Sequence, residues 1–213
     1  MKISVVIPTY EMFGKGVQFL TNSLEILEKQ TFKDFEVVIS DNSEDEAIKK
    51  IALMGWNFQV VYSKNRRVKN MSGNTNNGIL KATGEYIKIL FLDDYLAHEN
   101  ALQDIANYKF DWLVTACSNN SSPYYADEIK RGVNKIGSPS VLTFKNQNPL
   151  LLNEELNWVV DCDYYIRLYR KYGLPVISNK VNVVIGIGDH QVTNHLSDEA
   201  KLKEVEYLCQ KYC

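Results

Sequence analysis

Glycine-rich phosphate loops are missing from this 213-residue chain: neither GxGxxG nor GxxxxGK[ST] occurs. Such loops cradle phosphates on backbone N–H groups, so their absence argues against a dinucleotide oxidoreductase and a P-loop kinase. No apolar run approaches the roughly 18 residues needed to span a bilayer, and the amino terminus enters a short strand pattern without signal-peptide character. The cytosol is the expected location. Cys117, Cys162, Cys209 and Cys213 lack CxxC spacing and read as reduced thiols. Cys209 and Cys213, four apart on a helical pattern, are two ligands without companions. Charge of one sign is also scarce: a formal net charge of -2 gives no bulk electrostatic support for nucleic-acid binding. No internal repeat or low-complexity linker is visible. A composition 45% hydrophobic and 23% charged is that of a globular chain, and the expected organisation is a single domain, 1–213.

The first half alternates short apolar runs with helical periodicity, which predicts strand-helix units and a largely parallel sheet. Strands are predicted at Ile3–Ile7, Phe35–Ile39, Gln59–Tyr62 and Tyr86–Leu92. Helices follow from three- and four-residue apolar spacing between Val17 and Lys29 and over Asp45–Leu53, and a short one over Asn74–Ala82. The second half is less regular. A helix at Asn100–Tyr108, strands at Trp112–Ala116, Ser140–Phe144 and Val181–Ile187, and helices at Asp163–Tyr172 and Asp198–Tyr212 are predicted. The polar stretch Ser118–Lys135 reads as a surface loop or two-stranded flap.

In a parallel sheet the carboxyl ends of the strands share one edge, so residues after strands one, two and four converge. Here those are Pro8-Thr9-Tyr10-Glu11, Asp41-Asn42-Ser43 and Asp93-Asp94. Asp is also a common turn and N-cap residue, yet three separate turn choices do not account for hydroxyls, four carboxylates and a proline turn meeting in one crevice. Asp41 can accept the imide N–H of a pyrimidine, and Tyr10 offers an aromatic face to a base. Asp93 and Asp94 can hold Mg²⁺ or Mn²⁺ against a diphosphate.

Five segments, in order and spacing, then carry a family resemblance: Ser4–Tyr10, Val37–Ser43, Asn76–Tyr86, Phe91–Asp94 and Asp161–Leu168. Together they resemble family 2 glycosyltransferases with the A-type, Rossmann-like α/β fold, over nearly all of the chain. The resemblance implies an inverting transfer of a sugar from a nucleotide-diphosphate donor, with uridine the expected base, to a glycan, lipid-linked or protein acceptor, as in surface polysaccharide synthesis. It implies a nucleotide-binding half, 1–95, and an acceptor and catalytic-base half, 96–213. The implied nucleotide-binding residues are Pro8, Thr9, Tyr10, Glu11, Asp41, Asn74, Asn76 and Asp93. Asp94 and His190 are the implied ligands of Mn²⁺ or Mg²⁺, with Asp93 sharing the acidic motif, and Asp161 the implied base. On the residues alone, Asp161 reads equally as a helix cap and His190 as a surface histidine. Ser138-Pro139-Ser140 resembles the turn lining the donor-sugar pocket.

The chain also departs from the family pattern. Val160 stands where Glu is common before the base, Thr75 where Arg is common, and Tyr95 where a third acidic residue often follows. These departures leave open a binding module that has lost activity. QxxRW is absent, which argues against a processive polysaccharide synthase, and the glycine- and arginine-rich loop of sugar-phosphate nucleotidyltransferases is absent as well. The basic cluster Lys64–Lys69 is placed either beside the diphosphate or facing solvent. Peripheral membrane association remains compatible with the sequence.

Overall fold

Ile3–Thr9 forms β1, and all seven of its residues are buried, the pattern of a central strand covered on both faces. In the computed structural model, which describes residues 1–118, 132–134, 136–191 and 194–212, β1 lies between two parallel neighbours. These are β2 (Phe35–Asp41) on one side and β4 (Tyr86–Ile89) on the other, with β3 (Gln59–Lys64) beyond β2. Three helices connect them: α1 (Gly16–Glu28), α2 (Ala47–Ala52) and α3 (Met71–Ile79). The sheet continues through β5 (Tyr95–Leu96), β6 (Trp112–Cys117), β7 (Leu142–Lys145) and β8 (Val176–Val184), in the order β3-β2-β1-β4-β7-β6-β8-β5. The second half is mixed: β7 runs antiparallel to both β4 and β6, whereas β6 and β8 are parallel. Helices α4 (Ala101–Ala106), α5 (Val160–Tyr172) and α6 (Asp198–Tyr212) complete the chain. Among the described residues no helix is long and apolar enough to cross a membrane.

The strand-helix alternation read from the sequence is present, with shifted ends. Strand β1 runs two residues past Ile7, through Pro8, because there its only ladder partner is β2; pairing with β4 ends at Val6 and Ile89. A proline without N–H is tolerated where one side of the strand has no ladder to serve. Strand β4 stops at Ile89 rather than Leu92. The Leu90 N–H still reaches Val6 O at 2.9 Å, after which Ser140 Oγ accepts the Phe91 N–H at 2.8 Å and a turn closes from Asp94 N to Phe91 O at 3.0 Å. Helix α3 begins at Met71, three residues before its predicted start, because the Asn70 side chain caps it by accepting the Gly73 N–H at 2.8 Å. Strand β8 starts at Val176, where Val176, Ile177 and Ser178 pair with Leu113, Val114 and Thr115 ahead of an irregular register. Of the predicted 118–135 loop, residues 119–131 and 135 lie outside the described set.

Opposite faces of the sheet are held by different chemistry. Leu20, Leu24 and Leu27 of α1 are wholly buried, each contributing about 1.5–3 kcal/mol by leaving water. The buried face of α3 is polar. Asn74 Oδ1 accepts from Ser40 Oγ at 2.7 Å, and Asn77 Nδ2 donates to Ser40 Oγ at 2.8 Å. This packing is close: a Cβ on Gly78 would lie 2.5 Å from Val6 Cγ1.

At the amino end of the parallel strands, Glu36 is fully buried and ties β1, β2 and the turn before β4 together. It accepts from Ser4 Oγ at 2.6 Å, Lys2 Nζ at 2.9 Å and the Thr83 N–H at 2.7 Å. Burial alone would raise its pKa, but these hydrogen bonds outweigh burial and hold it at about 2, down from 4.5. A depressed carboxyl pKa stabilises the fold fully above the unfolded value, and that stabilisation disappears as pH falls from 4.5 toward 2. Glu36→Gln is therefore expected to cost roughly 2–3 kcal/mol at pH 7 and much less at pH 2.5, measured by denaturant unfolding at both values. An equal cost at both would refute the charge-linked role.

The carboxyl-terminal helix is fastened through α5. Asp163, wholly buried, accepts from Lys211 Nζ at 3.0 Å, Tyr212 OH at 2.5 Å and Arg167 Nε at 2.7 Å. Glu204 of α6 accepts three successive backbone N–H groups at the entry to α5, from Asn157 at 2.9 Å, Trp158 at 2.8 Å and Val159 at 3.1 Å. The N-cap residue Val159 has no capping side chain, so Glu204 of α6 fixes the entry to α5 from a distance.

Candidate active site

Strand β1 is followed in the chain by a neighbour on one side, β2, and paired on the other with β4, so a crevice opens at its carboxyl end. A cleft of about 500 Å³ occupies that place. Its walls come from the turn after β1 (Pro8, Tyr10, Glu11, Met12), the approach to α3 (Lys69, Asn70, Met71, Asn74) and the acidic turn Phe91–Asp94. Asn42, Ser138 and the segment after β8 (Ile185, Gly186, His190, Gln191) complete it.

The turn after β1 is strained. Met12 and Phe13 have φ of 44° and 53°, a left-handed conformation that bulky side chains rarely adopt, and such outliers cluster where a site over-determines the backbone. Burial, and then the charge of Asp93, raises the pKa of the Tyr10 hydroxyl, which stays protonated at neutral pH. Its ring is half-buried on the cleft wall.

The two acidic residues have different surroundings. Asp93 Oδ2 faces His190 Nε2 at 2.9 Å, and the ring of His190 packs against Phe19 with centroids 5.4 Å apart. His190 Nδ1 is buried without a hydrogen-bond partner among the described residues. Asp94 is directed into the protein: Oδ1 accepts the Gly186 N–H at 2.8 Å and Oδ2 accepts from Ser138 Oγ at 3.2 Å. Burial and the neighbouring Asp93 push its pKa up to about 6 despite those hydrogen bonds. Gly186 is required for the approach, since a Cβ there would lie 2.4 Å from the Asp93 carbonyl oxygen.

Seven of the residues expected at the site line the cleft: Pro8, Tyr10, Glu11, Asn74, Asp93, Asp94 and His190. Thr9, Asp41, Asn76 and Asp161 are not among its lining residues. Thr9 is buried and donates to Ser40 O at 3.0 Å. Asp41 is 0% exposed; its carboxylate accepts from the Ser43 N–H at 2.8 Å, Tyr62 OH at 2.7 Å and Lys64 Nζ at 3.3 Å. It holds the turn that presents Asn42 to the cleft. Asn76 clamps the 152–154 segment, donating to Leu152 O and Glu154 Oε1, each at 2.9 Å, and accepting the Leu152 N–H at 2.7 Å.

Asp161 lies in the first turn of α5, half-buried. Oδ1 accepts the Cys162 N–H at 2.7 Å, Oδ2 accepts from Asn134 Nδ2, and burial raises its pKa in spite of both contacts. Asn134 also donates to Gly137 O at 2.8 Å, one residue from the Ser138 that holds Asp94. The α5 carboxylate and the acidic turn are thus joined through one short loop.

Asn70, Met71 and Met12 were not foreseen as site residues, and for Lys69 the sequence left a place beside the diphosphate and one in solvent both open. Asn70 carried a signal, since an Asn three residues before Gly73 suits an N-cap, and a cap would have placed the preceding lysine at the cleft. The basic cluster divides: Lys69 lines the cleft and pairs with Glu44 at 2.5 Å, whereas Arg67 pairs with Glu154 at 2.6 Å and Lys64 with Asp41. Thr75, where an arginine was expected, is buried and donates to Met71 O at 2.8 Å.

The sequence model of glycosyl transferase family 2 matches residues 4–175. The chain belongs to this family. Among curated members, it is 33% identical over 98 residues to a GalNAc(5)-diNAcBac-PP-undecaprenol beta-1,3-glucosyltransferase of Campylobacter jejuni, a match covering 45% of this chain and 30% of the relative. The matched part is thus about a third of that relative's length. Among solved structures, Staphylococcus aureus TarS 1-349 in complex with UDP-GlcNAc superposes with a TM-score of 0.76 at 22% identity, covering 98% of this chain and 65% of that one. The mannosyltransferase PcManGT of Pyrobaculum calidifontis, in complex with GDP-Man and Mn²⁺, gives 0.66 at 14% identity, covering 87% and 57%. These likenesses show that the family 2 chain has the A-type α/β fold expected from its motifs.

A divalent ion suits the donor set only in part. Among the described residues no group of three or more His, Cys, Asp or Glu side chains is arranged to hold a metal. Asp93 and His190 supply one carboxylate and one imidazole on the cleft wall. Magnesium and manganese sites in phosphate chemistry are commonly built from one or two carboxylates completed by substrate oxygens and water, so this pair fits a site finished by a diphosphate.

Proposed function

We propose that this family 2 chain transfers a sugar from a nucleotide-diphosphate donor to an acceptor hydroxyl with inversion, in glycan or surface polysaccharide synthesis. The observation that carries the reading is the meeting of Tyr10, Asp93, Asp94 and His190 in one crevice at the carboxyl end of β1 and β4. Tyr10 offers its ring to the base, and the polar wall of Asn42, Asn70 and Asn74 offers amide groups to base and ribose. Asp93, with His190 and the adjoining Asp94, would hold Mn²⁺ or Mg²⁺; that ion neutralises charge on the departing diphosphate when bound. Lys69 provides a cation on the cleft wall, a role Thr75 does not fill. Asp161 accepts the acceptor's hydroxyl proton as its oxygen attacks the anomeric carbon. A carboxyl pKa raised by burial makes it a stronger base than an exposed aspartate.

Supporting this reading, the TarS structure holds UDP-GlcNAc and the Pyrobaculum structure GDP-Man with Mn²⁺. The Campylobacter relative is named for a lipid-linked acceptor, which favours an acceptor of that kind here. Calorimetric titration of UDP, TDP and GDP tests the donor site. One of them is expected to bind in Mn²⁺ and to weaken at least about tenfold, some 1.4 kcal/mol, in EDTA. If none binds in Mn²⁺, the donor-site reading is lost.

A further inference from the structure

Lys88 lies mid-strand in β4, paired with Val5 of β1 and Thr143 of β7, and is 0% exposed. Lysine is seldom fully buried unless paired, and among the described residues no carboxylate lies within ion-pair distance of it. Its ammonium donates to the main-chain carbonyl of Ser140. That residue belongs to the Ser138–Ser140 turn, which leads into β7 and whose hydroxyls serve the acidic turn: Ser140 Oγ accepts the Phe91 N–H at 2.8 Å and Ser138 Oγ donates to Asp94 Oδ2 at 3.2 Å. The chain of contacts therefore runs from a buried cation, through one turn, to both ends of the Phe91–Asp94 segment.

We infer that Lys88 is a positioning residue that pins the Ser138–Ser140 turn against the acidic turn and so sets the manganese-dependent part of nucleotide binding. The inference rests on the donor-site reading given above. Burial lowers the pKa of Lys88 to about 7, and the charge of Asp94 offsets part of that fall, so the acidic turn is a neighbour that favours the protonated form. An apolar side chain of similar length would fill the same space at lower desolvation cost, so nothing in packing alone calls for lysine here.

Lys88→Met tests this directly. The probe is whichever of UDP, TDP and GDP the wild type binds, titrated in Mn²⁺ and in EDTA, with thermal unfolding measured alongside. The expected result is a variant that melts no more than a few degrees below wild type, binds in EDTA as wild type does, and loses about tenfold in affinity in Mn²⁺. Equal affinity in Mn²⁺, or an equal loss in both conditions, overturns the positioning role. Should Lys88→Met fail to fold, Ser138→Ala removes the last contact in the chain and must reproduce the manganese-specific loss; unchanged affinity there overturns the inference. A wild type that binds no nucleotide in Mn²⁺ overturns the donor-site reading, whereas binding unaffected by both variants overturns this inference alone.

Discussion

Asp161→Asn is expected to lower turnover about 10²- to 10⁴-fold while leaving nucleoside diphosphate affinity unchanged. The substitution keeps the shape and, through its single amide oxygen, one of the two hydrogen bonds accepted from the Cys162 N–H and the Asn134 amide, and it removes the capacity to take a proton. Because Asp161 lies outside the cleft wall, donor binding has no contact to lose. The pH profile offers a second check. Burial raises this carboxyl's pKa, so the acid limb of kcat/KM lies above the ordinary carboxylate range, and activity is lost as pH falls through it. In the Asn variant the part of that limb owed to Asp161 disappears, and the titration of Asp94 remains. Steady-state donor turnover with acceptor, measured beside calorimetric binding, separates the outcomes. Parallel losses of binding and turnover, or no loss of turnover, would remove Asp161 from its role. A binding module that has lost activity would have no turnover for the substitution to reduce.

Asp93→Asn is expected to weaken nucleoside diphosphate binding in Mn²⁺ by about 100-fold, roughly 2.7 kcal/mol, and to change binding in EDTA by little. Asp93 is the acidic residue whose carboxylate meets His190 on the cleft wall, whereas Asp94 already spends its oxygens on Gly186 and Ser138. Replacing an anionic ligand by a neutral amide removes the main attraction for a divalent ion and leaves the imidazole with no charged companion. His190→Ala is expected to follow in the same direction with a smaller effect, since an imidazole is a poorer ligand for these hard cations than a carboxylate. If Asp93→Asn bound as tightly as wild type in Mn²⁺, the metal would have to be held elsewhere or dispensed with.

Strand identity in the first half was legible because a parallel sheet buried on both faces demands continuous β-branched runs, and Ile3–Ile7 and Phe35–Ile39 can be little else. The convergence of Tyr10, Asp93 and Asp94 followed from topology, since carboxyl ends of parallel strands share an edge. Strand ends were less visible. Whether β4 stops at Ile89 or Leu92 depends on Ser140, about fifty residues away, taking the Phe91 N–H. The two-residue β5 has no pattern of its own and exists through pairing with Val183 and Val184. Polar α3 lacked an apolar stripe because its buried face is satisfied by Ser40 and Thr9 rather than by hydrocarbon.

The site divides along the same line. Residue types and spacing determined which candidate groups this family 2 chain offers: an aromatic ring after β1, an acidic pair after β4, and an aspartate at the start of α5. Only the tertiary structure decided what each group faces. It turned Asp41 and Asn76 inward onto hydrogen-bond partners, brought Lys69 to the cleft, split the acidic pair into one carboxylate on the wall and one beneath it, and placed Lys88 behind them. The reason is physical: the chain's periodicity decides which segments are buried, but the direction of a polar side chain is set by hydrogen-bond partners that come from remote parts of the sequence.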